Sequence, residues 1–137
     1  MPEKVLVFSR FPKTLMQRIG EKFELLDAGG KPPNEKFAAG QLADIRAMIT
    51  AGGTPLPGRM MDMMPKLKAI VCYGTGYDGV DLKAAAERKI TVGHSPGANA
   101  ASVADIAVTL MLAATRRLLV LDNYVRSGDW ARPSRHQ

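Results

Sequence analysis

The chain has 137 residues, 46% of them hydrophobic and 23% charged, with a single cysteine. This is ordinary for a soluble globular protein and leaves room for one domain with a buried core, while one cysteine excludes an internal disulfide framework. The net charge is +6, but the basic residues are scattered and not interleaved with aromatics, so no nucleic-acid partner is expected.

Met1-Pro2-Glu3-Lys4 leads into the chain with neither a long apolar stretch nor a small-residue cleavage site, so no signal peptide is expected. Lys4 to Ser9, rich in Val, Leu and Phe, suits a strand buried on both faces of a parallel sheet. Pro12 opens a helix with Leu15, Ile19 and Phe23 on one stripe, and Phe23 to Asp27 reads as the second strand. A loop over residues 28–33 precedes a short helical stretch from Asn34 to Ala39, and Ile45 to Thr50 is the third strand. Gly52-Gly53-Thr54 follows, then a helix around Arg59 to Met64 whose four methionines read as adaptable packing and not as a metal site.

Pro65 to Lys68 turns the chain into what reads as the central strand, Ala69-Ile70-Val71-Cys72-Tyr73. Cys72 is a small core residue there, suited to a reducing, cytoplasmic setting. The strand runs into the loop Gly74-Thr75-Gly76-Tyr77-Asp78-Gly79. Asp81 caps a helix over Leu82 to Arg88, and Ile90-Thr91-Val92 is a further strand. Strands and helices alternate about five times, which predicts an α/β fold, a flavodoxin-like doubly wound parallel sheet of about five strands.

After Ser95-Pro96-Gly97 the pattern changes. Asn99 or Ser102 caps a helix running to about Arg126, roughly 25 residues or about 40 Å. Asp105 and the pair Arg116-Arg117 interrupt its apolar run, so it is not expected to span a membrane. Val103, Ile106, Leu110 and Leu118 form one stripe, yet Val108, Leu112 and Leu119 make other faces apolar too. Such a helix needs cover on most sides, which predicts a further domain or a partner chain. The expected division is residues 1–97 as one domain and 98–137 as a long linking helix with the start of another.

Gly74, Gly76 and Gly79 spell G-x-G-x-x-G after a strand, the form of a dinucleotide fingerprint. A true fingerprint opens a helix within the motif and places an acid about 20 positions on. Here the helix begins only after Asp81, and the next strand ends in Gly93-His94-Ser95 with no acid. The loop reads instead as a ligand loop at the carboxyl end of a strand, where small anions bind and glycine lets a backbone N–H approach them.

The ordered set Gly74-x-Gly76-x-Asp78-x-x-Asp81, Ile90-x-Val92, Ser95-Pro96-Gly97, Ser102-Val103-Ala104-Asp105 and Arg116-Arg117 resembles the D-isomer-specific 2-hydroxyacid dehydrogenases. That group includes glyoxylate, hydroxypyruvate, phosphoglycerate and formate dehydrogenases. The likeness runs from about Lys4 to Trp130 and covers the family's substrate domain.

The resemblance implies a hydride transfer between NAD or NADP and a small 2-oxo or 2-hydroxy acid. It implies substrate contacts from Gly52, Gly53, Thr75, Gly76 and Asn99, and packing near the nicotinamide from Val103. Asn99 serves equally as a simple helix cap, and Asp78 and Asp81 order the loop and cap a helix. No catalytic residue is assigned: the family's arginine, acid and histidine lie beyond the nucleotide glycine loop, and His136 comes too early to be that histidine. The resemblance further implies a homodimer through the Ala100–Arg126 helix. It also implies a chain cut short of its nucleotide domain, inactive alone and not binding the cofactor tightly. A second reading is a stand-alone flavodoxin-like module that binds a carboxylate or a protein without catalysis.

Overall fold

The computed structural model describes residues 2–132. The chain divides into two compact units, one through Ala98 and the other from Asn99 onward.

In the first unit, β1 (Lys4–Val7), α1 (Lys13–Gly20), β2 (Glu24–Asp27), α2 (Ala39–Leu42), β3 (Ala47–Ala51), α3 (Gly58–Met61), β4 (Ala69–Tyr73), α4 (Leu82–Glu87) and β5 (Thr91–Gly93) follow in order. The five strands form one parallel sheet, β2-β1-β3-β4-β5, the flavodoxin-like order expected from the β/α alternation. Ala69–Tyr73 has the bounds expected of it but not the place, since β3 stands in the middle and β4 lies next to the edge strand β5. Strand order depends on which neighbours pair, and an apolar run does not encode that.

Right-handed crossovers in this order set α1 on one face of the sheet and α2, α3 and α4 on the other. Burial along β4 follows: Ile70 and Cys72 are buried, whereas Val71 and Tyr73, pointing to the opposite face, are 47% and 55% exposed. Leu6, Leu42, Ile45, Met48, Leu56 and Ile70 form the heart of the core, all 2% exposed or less. Met61 and Met64 are buried with them and Met60 and Met63 pack against the cluster, as expected for packing methionines.

Local differences have local causes. α1 ends at Gly20, before Phe23, which lies beyond the helix and is 40% exposed. The helical stretch expected over residues 34–39 appears as a 3₁₀ turn at Pro33–Glu35 and then α2 from Ala39. Pro32 and Pro33 favour a short tight turn that does not propagate.

In the second unit, the single helix expected to run to Arg126 is two, α5 (Ala100–Thr115) and α6 (Leu118–Arg126). Arg117 breaks it, with φ 52° and ψ 40°, a left-handed conformation that ends the α-helical hydrogen-bond pattern. Thr115 Oγ1 also turns back onto the carbonyls of Met111 and Leu112 just before the break. Val103, Ile106, Leu110, Met111 and Leu119 are all more than half exposed.

Candidate functional site

The carboxyl ends of β3 and β4 carry the two glycine segments, and the fold presses them together. A Cβ on Gly52 would lie 1.8 Å from the Gly76 carbonyl oxygen, and one on Gly79 would lie 2.3 Å from the Thr54 carbonyl oxygen. Only glycine permits backbones this close. Gly79 N donates to Gly52 O at 2.8 Å, Leu56 N to Gly79 O at 2.8 Å, and Asp81 N to Leu56 O at 3.2 Å. Leu56 and Val80 form an isolated parallel bridge, so the two loops make one laced structure.

The β3 segment is anchored from below by hydroxyls. Ser9 Oγ lies 3.1 Å from Thr50 Oγ1 and 2.8 Å from Thr54 Oγ1, and it accepts from Ala51 N at 2.9 Å. Ser9 and Thr50 are buried, and the network satisfies them. No chemical motif marks Ser9, whose partners lie more than 40 residues away.

The β4 segment is held from the exit of β5. Ser95 N donates to Gly74 O at 2.9 Å, and His94 Nδ1 lies 2.9 Å from Thr75 O. The His94 ring packs against Tyr77, centroids 4.8 Å apart at 67°. The sequence pointed to no role for His94.

With the loops so held, no acceptor among the described residues takes the backbone N–H of Gly53, Thr75 or Gly76. Backbone amides left without a protein acceptor at the carboxyl edge of a parallel sheet are free to meet a small anion. The carboxylate of Asp78 also borders this loop, 3.4 Å from where a Gly76 Cβ would stand. Gly52, Thr75 and Gly76 are brought together, and Gly53 follows Gly52. Asn99 and Val103 belong to the second unit. Asn99 occupies the N-cap position of α5, but its side chain makes no capping hydrogen bond, and Val103 is 52% exposed.

The loop does not suit a dinucleotide pyrophosphate. α4 opens only at Leu82, beyond the glycines, and its N-terminus is already served by Asp81 Oδ1, which accepts from Ala84 N at 2.9 Å. Cys72 is buried, and burial pushes its thiol above the ordinary value, which fits a packing residue and not a nucleophile. Among the described residues no group of three His, Cys, Asp or Glu side chains could hold a metal ion, and no helix is long and apolar enough to cross a membrane. His136 lies outside the described residues.

A five-stranded doubly wound parallel sheet, with paired glycine loops at its carboxyl edge, defines an α/β domain. The chain belongs to the D-isomer specific 2-hydroxyacid dehydrogenases: residues 5–127 match that family's catalytic domain. It is 34% identical over 131 residues to a glyoxylate reductase of Korarchaeum cryptofilum, covering 95% of this chain and 40% of the relative. It is 32% identical over 126 residues to a hydroxyphenylpyruvate reductase of Plectranthus scutellarioides, covering 92% and 40%. Among solved structures, a 2-hydroxyacid dehydrogenase from Ketogulonicigenium vulgare superimposes with a TM-score of 0.87 at 28% identity, over 100% of this chain and 43% of the other. A glyoxylate/hydroxypyruvate reductase from Sinorhizobium meliloti, in complex with NADP and malonate, gives 0.80 at 29% identity, over 100% and 42%. The chain thus spans about two fifths of the relatives it matches.

Proposed function

We propose that this chain is the substrate-binding part of an NAD(P)-dependent oxidoreductase that interconverts a small 2-oxo acid and its 2-hydroxy acid. Glyoxylate and hydroxypyruvate are the first substrates to test, because reductases of these acids are among its relatives. The observation that carries the proposal is that the loop amides of Gly53, Thr75 and Gly76, at the carboxyl ends of β3 and β4, donate to no acceptor among the described residues.

In this reading the substrate carboxylate accepts from the N–H groups of Thr75 and Gly76. The Gly52-Gly53 turn lines the same pocket, its approach kept narrow by the Gly52–Gly76 contact. Charge-assisted bonds from a preorganised backbone need no side-chain reordering, so the acid is oriented as it binds. Asn99 is carried into this reading by the family resemblance alone, as a residue of substrate-contacting type whose amide is not spent on capping α5. The nicotinamide cofactor, when bound, supplies or accepts the hydride. Exposed, apolar Val103 suits packing against its ring, and the pyrophosphate would be held outside the Gly74–Gly79 loop.

The proton donor and the catalytic arginine are not assigned to any of these residues, so the 137 residues alone bind the acid without turning it over. The exposed apolar faces of α5 and α6 pair with a second copy through Ala100–Arg126. The free, buried thiol of Cys72 suits the cytoplasm. Adding glycolate to the isotopically labelled chain is expected to shift the Thr75 and Gly76 amide resonances saturably, with chloride leaving them in place. NADH or NADPH oxidation with glyoxylate is expected to stay at background. Amides that ignore glycolate would remove the substrate-site assignment, and steady turnover would remove the claim of inactivity. Light scattering that stays monomeric at all concentrations would remove the dimer.

A further inference from the structure

We propose that His94 is a positioning residue for carboxylate binding, its imidazole holding the Thr75–Gly76 peptide so that the Gly76 N–H faces the acid. The inference deepens the proposed function and rests on it.

Thr75 O can only accept a hydrogen bond, so at 2.9 Å the His94 Nδ1 carries the hydrogen and donates it. The Thr75 carbonyl and the Gly76 N–H belong to one planar peptide, and there is no cis bond in the chain's described part. In a trans peptide those two groups point in opposite directions. Fixing the carbonyl toward His94 therefore fixes the N–H away from it. Accepting that bond also polarises the peptide and makes its N–H a stronger donor.

The peptide needs such a hold. Gly74, at φ 109°, and Gly76 flank Thr75, and glycine on both sides leaves the peptide plane free to rotate. Neither loop glycine has a side chain to pin it. The other contacts from the same segment fall around this plane, with Ser95 N on Gly74 O and the His94 ring on Tyr77. The exit of β5 thus grips residues on both sides of Gly76.

The test is glycolate binding followed at the Thr75 and Gly76 amides in wild type, His94→Ala and His94→Asn. Asparagine Nδ2 stands as many bonds from Cβ as histidine Nδ1, so it can restore the donor without the ring. Losing one hydrogen bond to the loop is expected to weaken binding about fivefold in His94→Ala, with His94→Asn close to wild type. The melting temperature should hardly move, because His94 is exposed. Wild-type affinity in His94→Ala, or an asparagine variant as weak as the alanine one, would overturn the assignment while leaving the carboxylate site standing. Wild-type amides that ignore glycolate would take down both. Nitrogen-15 spectra of the wild-type ring need no variant: hydrogen at Nδ1 is expected, and a ring protonated at Nε2 alone would overturn the proposal.

Discussion

Gly52 and Gly76 meet so closely that a single methyl group on Gly52 would fall 1.8 Å from the Gly76 carbonyl oxygen. That oxygen belongs to backbone, so no side chain can swing aside. Gly52→Ala must therefore separate the loops or lift the end of β3. A cost of about 1–3 kcal/mol is expected, the range for overpacking that backbone must absorb. Gly53→Ala is the matched control: nothing lies within 4 Å of its Cβ position, and the lost chain entropy of the unfolded state favours it by about 0.5 kcal/mol. Urea unfolding of both variants checks the contrast, which equal stabilities would contradict.

Ser9 carries the second structural demand of the site. Its hydroxyl touches Thr50, Thr54 and the Ala51 N–H at once. In Ser9→Ala the buried Thr50 hydroxyl keeps only its long contact to Ala51 O, at 3.3 Å, and the Ala51 N–H loses its acceptor. About 1–3 kcal/mol of stability should go, as for other orphaned buried polar groups. Hydrogen exchange at Ala51 and Thr54 should accelerate more than at β2, because the loss begins under the Gly52 turn. Uniform acceleration across the sheet would place the hydroxyls in the general core instead.

These contacts mark what could be read from the residues and what could not. The run Ala69 to Tyr73, β-branched and aromatic between turn residues, has the bounds of β4. Asp81 caps α4 as its type and spacing require. The glycine segments after β3 and β4 were legible as loops following strands, where ligand crevices form in parallel sheets. The grip of His94 on Thr75, 19 residues apart, was not, because it targets backbone and leaves no pairing signature. The Arg117 break was hidden for another reason. An arginine at φ 52° costs about 1 kcal/mol, and sequence periodicity reads continuous apolar character there as one helix.

Cys72 supplies a prediction in pH. Its side chain is buried in β4, and burial raises the thiol above its ordinary value of 9.0. For a group whose folded value is raised, the stabilising contribution is complete below the unfolded value and disappears as pH climbs through the folded one. The unfolded chain can ionise its thiol from about pH 9 upward, where the folded chain resists. Urea stability should accordingly decline above that pH, and Cys72→Ala should decline less steeply. The comparison between the two proteins cancels every contribution that they share. Burial also predicts that a thiol reagent modifies native Cys72 far more slowly than the unfolded chain, at a rate set by opening of the sheet. Rapid labelling of the native protein, or identical pH profiles for wild type and Cys72→Ala, would mean that the thiolate is accessible at the surface and could serve as a nucleophile.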